Sequence, residues 1–472
     1  MVFDSYTFLL FFAIVWSLDR LPLAWSVRKA NLLFASYVFY AAWSPPFVLL
    51  LWLSTLVDWV AGRGMERSAS PAGRRLFLLL SLLTNLGLLG FFKYGGFLTR
   101  ALADGLQAVG VRYDPRALDV VLPVGISFYT FQTLSYSIDV YRARIRPWRS
   151  LLDFALFVSF FPQLVAGPIV RARDFLPQCA SERRATASQV GWGLSLLVLG
   201  LFAKVFLADG LMAPVVDLVY QDVSHASRLA AWLGTLAFAN QIFFDFWGYS
   251  TCAIGLAMTL GFSLPDNFLS PYAARGFSDF WRRWHVTLSS WLRDYLYVSL
   301  GGSRTGRGRT LVNLMVTMLL GGLWHGAAWT FVVWGGVHGL FLLAERGLRT
   351  LVPGSWRARA GWAPAGLTFL LVCLAWVLFR ASTLGDAAVL LGTMLGGGGD
   401  DRIDAAIGDV RIVLIALVTA ATLAVQWRLR ESTLEDVVDG MPWGLRAATL
   451  AALIVAISTA PGEDRAFIYF QF

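Results

Sequence analysis

Residues 310–344 read TLVNLMVTMLLGGLWHGAAWTFVVWGGVHGLFLLA, a run with no Asp, Glu, Lys or Arg in it. One continuous helix of that length would be roughly 52 Å long, against the ~30 Å apolar core of a bilayer. The run must therefore break, and Gly321, Gly322 and Gly326 mark the place. Read this way, Thr310–Ala344 is membrane-embedded, and the break puts the imidazole of His325 at membrane depth on irregular backbone.

The rest of the chain agrees. Of its 472 residues 57% are hydrophobic and only 15% charged, with a mean hydropathy of +0.61. Soluble domains carry roughly a quarter charged residues, so this is the composition of an integral membrane protein. It excludes a disordered chain, a disulfide scaffold and a protein whose main business is nucleic acid. Cys179, Cys252 and Cys373 are widely spaced in apolar surroundings and read as small core residues.

Uncharged runs long enough to cross recur from Ser5–Leu18 to Ala447–Gly462, which predicts an all-α polytopic chain of about 11–12 transmembrane helices with re-entrant and interfacial helices added. Ser5–Leu18 has no basic residue before it and no cleavage site after it, so it is expected to remain as a span. Ala30–Val57 is divided by Pro45 and Pro46. Phe154–Val170 carries Pro162, Gln163, Gly167 and Pro168 between basic flanks and reads as a broken or re-entrant element. No linker or repeat interrupts the pattern, which predicts one domain over residues 1–472; Gly396–Gly399 is at most a short external turn.

The net charge of +9 comes from 39 basic and 30 acidic residues. Arg20–Lys29, Arg63–Arg75 and Arg142–Arg149 fall on one side, assigned to the cytoplasm because cytoplasmic loops are enriched in Lys and Arg. Acidic segments around Asp209–Asp222 and Asp400–Asp409 then fall outside, as does the N-terminus.

His325 has two readings: a packing histidine donating to a carbonyl, or a proton-transfer group, since neutral imidazole suits that task near neutral pH. His285 lies in Phe277–Tyr295, where helical spacing aligns Phe277, Trp281, Trp284, Leu288, Trp291 and Tyr295. That pattern predicts one amphipathic helix at the cytoplasmic interface. The following Gly301–Arg309 segment offers Arg304, Arg307 and Arg309 to the phosphates of a nucleotide-bearing ligand, although positive-inside topology explains the same arginines. Asp245 is expected in a structural ion pair or orienting a histidine; His225 and His338 receive no role. There is no nucleophile elbow, no H-E-x-x-H helix and no Cys/His cluster, so neither a serine mechanism nor a metal site has a motif behind it. Two functions fit: histidine-mediated proton transfer between substrates brought from opposite sides, or a proton-coupled transporter or flippase using His325 and Asp245.

The sequence also resembles the membrane-bound O-acyltransferase family, in its bacterial alginate O-acetyltransferase branch. The resemblance is carried by Leu122–Gln132, Phe161–Ile169, Phe244-Asp245-Phe246, Phe280–Tyr297, Gly322-Leu323-Trp324-His325-Gly326 and the closing Phe467-Ile468-Tyr469-Phe470-Gln471-Phe472. A departure lies at Trp247–Thr251, where the branch pattern has a serine before the glycine and an aspartate after Ser250. The resemblance implies a ring of helices around a central tunnel, with His325 as catalytic histidine and His285 as the supporting one. It implies acyl, in the first instance acetyl, transfer from a cytoplasmic thioester, acetyl-CoA or another, with no permanently bound cofactor. The acceptor would be a hydroxyl of an exported polysaccharide or of an extracytoplasmic partner acetyltransferase. The setting would be the bacterial inner membrane, among lipids and without nucleic acid.

Overall fold

The computed structural model describes residues 1–115, 120–304, 306–351, 361–397, 399–460, 465, 467 and 468. Ala360, Gly398, Pro461, Gly462 and Tyr469–Phe472 therefore lie outside the described residues. Among the described residues every regular element is helical and none is a strand. Six helices are both long and apolar enough to cross a membrane: Pro45–Arg67, Pro71–Ala108, Ala187–Gln221, Arg228–Thr259, Ala363–Arg380 and Asp409–Arg428. The other expected spans form shorter or more polar helices. The three cysteines are buried and free.

The chain divides into two compact units, Met1–Leu197 with Cys252–Pro265, and Val198–Thr251 with Asp266–Phe472. In the first, α1 (Tyr6–Arg20) and α2 (Trp25–Ala41) precede a single 3-10 turn at Pro45–Phe47, and α3 (Val48–Arg67) follows. The two prolines divide the run as their missing N–H groups require. α4 (Pro71–Leu89) starts at Ser70, whose side chain accepts the Gly73 N–H, with Pro71 in the first turn. α5 (Gly95–Ala108) and α6 (Ile126–Tyr141) come next.

A polar knot ties α3, α4 and α6 together. Asp58 is wholly buried near the middle of α3 and accepts from Ser137 Oγ at 2.7 Å, Asn85 Nδ2 at 2.7 Å and Ser81 Oγ. Asn85 Oδ1 in turn accepts from Ser54 Oγ at 2.6 Å. Glycines in α3 make room for the neighbouring side chains: a Cβ at Gly62 would stand 2.6 Å from the Tyr136 hydroxyl, and one at Gly64 2.4 Å from the Phe77 ring.

The broken element is present. α7 (Leu151–Ser159) stops at Phe160, α8 (Phe161–Leu164) is one turn, and irregular backbone leads to α9 (Ala172–Cys179). Every residue from 153 to 170 is buried, so protein groups must satisfy the exposed amides. Ser36 Oγ accepts the Phe161 N–H at 3.1 Å, and Gln163 Nε2 donates to the Phe157 carbonyl at 2.8 Å.

α10 (Ala187–Leu201) carries the chain from the first unit into the second, where a π-helical stretch, Phe202–Met212, and α11 (Ala213–Gln221) follow. The wider π turn places residues five apart on one face, which lets Lys204 reach Asp209 at 2.9 Å. α12 (Arg228–Thr259) is long and largely buried. Two sequence expectations need correction here. Phe277–Tyr295 is not one helix: α13 (Phe277–Arg283) and α14 (Val286–Trp291) are separated at His285, and a π-helical turn, Leu292–Tyr297, follows. Its aromatic stripe faces protein, with Trp284, Leu288 and Tyr295 buried. The second correction concerns His325, which is the last residue of α15 (Arg307–His325), not a residue on irregular backbone. Gly321 and Gly322 are helical, and the chain turns at Gly326 into α16 (Trp329–Leu351). The glycines serve packing instead. A Cβ at Gly322 would lie 2.2 Å from the Phe331 carbonyl, and one at Gly335 2.3 Å from that of Met318, so α15 and α16 close into a tight hairpin. α17 (Ala363–Arg380) packs against α16.

Candidate active site

The hairpin turn fixes His325. A Cβ at Gly326 would lie 2.1 Å from the Phe331 ring, so only glycine allows the chain to turn there. The imidazole of His325 is buried among three aromatic rings, with centroids at 5.1 Å for Trp324, 5.1 Å for Trp334 and 5.3 Å for Phe379. Trp334 meets it edge-on at 86°, a geometry that suits the ring quadrupoles.

His285 reaches the same box from the α13–α14 junction. Its φ of +44° is a left-handed conformation rarely adopted by a side-chain-bearing residue, and Ala143 and Ser270 are the other such cases among the described residues. Strain of this kind concentrates at functional sites. The ring is buried and lies 6.4 Å from His325, 5.8 Å from Trp324 and 4.6 Å from Phe246. At 6.4 Å between centroids the two imidazoles are beyond direct hydrogen-bond reach of each other.

Asn267 orients His285, and sequence reasoning missed it. Its Oδ1 lies 3.0 Å from His285 Nδ1 and 2.9 Å from the Thr287 hydroxyl, and its Nδ2 donates to Ser250 Oγ at 3.2 Å. An oxygen on which Thr287 also converges is an acceptor, so His285 Nδ1 carries the proton and Nε2 is left as the ring's basic nitrogen. Burial pushes this imidazole down to about 3, which keeps it neutral. No spacing pattern joins Asn267 to His285; backbone bonds from Val286 N–H to the Asn267 carbonyl and from Leu269 N–H to the Arg283 carbonyl, each 2.9 Å, bring the two segments side by side.

The remaining candidates disperse. Arg304 lies in the turn before α15, and Arg307 and Arg309 in its first turn; all three are exposed, and none hydrogen-bonds or ion-pairs with either histidine. Asp245 is in an ion pair with Lys204 at 2.7 Å and accepts the Ile468 N–H at 2.7 Å, so it braces the chain's last described residues and does not orient a histidine. His338 is buried between Trp281 at 5.1 Å and Trp334 at 4.7 Å. His225 is exposed and bonded to Asp222 at 2.7 Å. No group of three or more metal-ligating side chains occurs among the described residues.

Comparison with known proteins bears on this box. The sequence profile of the membrane-bound O-acyltransferase family matches residues 138–384, a stretch that holds His285 and His325. The chain is 43% identical to the probable alginate O-acetylase AlgI of Azotobacter vinelandii, over 81% of its own length and 76% of that protein's. It is 36% identical to the peptidoglycan O-acetyltransferase of Helicobacter pylori over 78% of its length and 74% of that protein's. With the teichoic acid D-alanyltransferase of Bacillus subtilis it shares 25% over 54% of its length and 68% of that protein's.

Proposed function

The chain belongs to the membrane-bound O-acyltransferase family, and from that premise we propose that it transfers an acetyl group from a cytoplasmic thioester to a hydroxyl presented on the other side of the membrane. It is a multi-pass membrane O-acyltransferase; the acceptor is a hydroxyl of a cell-envelope polysaccharide, alginate-like, or of an extracytoplasmic partner that passes the group on. The bacterial inner membrane is where a cytoplasmic donor and an exported acceptor meet. The observation that carries the reading is the pair of buried imidazoles held 6.4 Å apart in one aromatic box.

In the proposed reaction His325 takes the hydroxyl proton as the oxygen attacks the thioester carbonyl. The C–O bond forms, the C–S bond breaks, and the proton passes to the departing thiolate. Thiolate leaves readily, so deprotonation is the main task, and a positioned imidazole contributes about 10²–10⁴ in rate. His285, neutral and fixed by Asn267, serves as a hydrogen-bonding partner to the reacting groups.

The test is His325→Ala in purified protein reconstituted in nanodiscs, with radiolabelled acetyl thioester and a soluble hydroxyl acceptor. Transfer should fall by at least the ~10² that general-base catalysis supplies, with an unfolding midpoint like that of the wild type. Wild-type transfer by His325→Ala would remove the histidine from the mechanism.

A further inference from the structure

At its Arg-rich end, α3 carries a feature that acyl transfer does not use. Leu49, Leu53, Leu56 and Val60 are 61%, 43%, 47% and 48% exposed. Their spacing of four, three and four residues draws one stripe along the helix, and on a crossing helix such an exposed apolar stripe faces lipid. Continuing the same spacing leads to Arg63 and Arg67. There the surface opens into a groove of about 400 Å³ between α3 and α4, lined by Trp59, Val60, Arg63, Arg67 and Phe77 among others.

Three N–H-bearing side chains of this groove, Trp59, Arg63 and Arg67, lack protein acceptors among the described residues. Neither Arg63 nor Arg67 has an ion pair or a hydrogen bond to a protein acceptor among the described residues. The Nε–H of Arg63 and the indole N–H of Trp59 are both buried and unbonded there, and the guanidinium lies 5.8 Å from the Trp59 ring centroid. Buried donors usually find an acceptor. Topology alone accounts for arginine at the end of a span, but not for a tryptophan N–H and an arginine Nε–H buried in one groove without acceptors. Phe77 and Val60 supply an apolar wall beside the charges.

We propose that this groove binds an anionic phospholipid, with the phosphate of the head group between Arg63, Arg67 and the Trp59 N–H and one acyl chain along Val60, Leu56, Leu53 and Leu49. Phosphate supplies the oxygen acceptors that the three donors lack, and a guanidinium matches it with paired N–H groups. Basic grooves at the ends of transmembrane helices are suited to such head groups. The stripe favours a lipid over a soluble phosphate, since a nucleotide would leave it unused.

The experiment is native mass spectrometry and lipid titration of the full chain in nanodiscs of phosphatidylcholine alone or mixed equally with phosphatidylglycerol. Wild type should retain phosphatidylglycerol selectively. The Arg63→Ala/Arg67→Ala variant should bind it roughly 30-fold more weakly, from the loss of two surface charges. Arg63→Lys/Arg67→Lys should recover part of the affinity, because charge returns without the paired geometry. Trp59→Phe, which keeps the ring and removes one donor, should show a smaller loss. Three results would overturn the proposal: undiminished phosphatidylglycerol retention by the double alanine variant, an equal loss of phosphatidylcholine, or displacement of the lipid by adenosine 3′,5′-bisphosphate or inorganic phosphate.

Discussion

Replacing Asn267 by alanine tests whether His285 is placed for chemistry. The change removes the acceptor at 3.0 Å from His285 Nδ1 and at 2.9 Å from the Thr287 hydroxyl, and it leaves the backbone bond between Val286 and residue 267 in place. The Thr287 hydroxyl can rotate to another acceptor. The imidazole N–H sits in a buried ring and cannot. One buried donor left unsatisfied costs about 1–3 kcal/mol, so the folded protein should lose about that much stability. If the same energy holds the imidazole in its reactive orientation and tautomer, turnover should fall by roughly 10- to 100-fold, at about 1.4 kcal/mol per factor of ten. The assay is single-turnover acetyl transfer in nanodiscs, with the donor's KM and kcat measured separately, beside an unfolding curve. Asn267→Asp retains an acceptor oxygen toward His285 and should restore kcat to within a few-fold of wild type. A kcat unchanged in Asn267→Ala, with or without a stability loss, would show that His285 need not be oriented for the reaction.

His285→Gln should lower kcat and leave the donor's KM unchanged. A raised KM with normal kcat would instead give the residue a role in binding the donor. The same residue sets a pH dependence of stability. Its folded value is depressed to about 3 against an unfolded value near 6.5, so the unfolded chain binds the proton first. This imidazole's contribution is complete above about 6.5 and should fall by about 1.4 kcal/mol for each pH unit below it; denaturant titrations across that window should show a slope shallower by that amount in His285→Gln than in wild type. Lys204→Met removes the cation paired with Asp245, whose side chain is 3% exposed, and should cost about 3–5 kcal/mol of stability. Lys204→Met/Asp245→Asn should recover part of that loss, and an unfolding midpoint unchanged in the single variant would contradict the buried pair.

Much of the architecture was legible because it follows from local chemistry. Pro45 and Pro46 divide a hydrophobic run wherever it folds, and Pro162 with Gly167 and Pro168 cannot continue a helix. His325 stood out because it lies among the glycines at the centre of a 35-residue uncharged run. Glycine was harder to read, since it serves both breaks and close approach. Gly321 and Gly322 looked like a break and proved to be a packing surface, and Gly326 alone makes the turn. The periodicity of Phe277–Tyr295 was real, yet helical spacing survives one left-handed residue, so the pattern gave no sign of the interruption at His285. Asn267 and Lys204 were invisible for a different reason: their partners, His285 and Asp245, lie 18 and 41 positions away, and no periodicity encodes a hydrogen bond made by folding.

The Asp58 knot bears on how the chain enters the membrane at all. Threaded singly, α3 would carry a carboxyl near its centre, for which insertion costs about 2.5–3.5 kcal/mol, offset only in steps of about 0.3–0.6 by each leucine or valine around it. Its hydrogen-bond donors ride on later segments, Ser81 and Asn85 on α4 and Ser137 on α6. The first of these arrives once the Ser70–Pro71 corner has been made, so the translocon is best served by releasing α3 and α4 into lipid as a pair. A nascent chain stalled between Arg67 and Ser81 would have an acidic group at bilayer depth with nothing from α4 to meet it. The early helices are thus committed to a folding order by side chains that take no part in the chemistry.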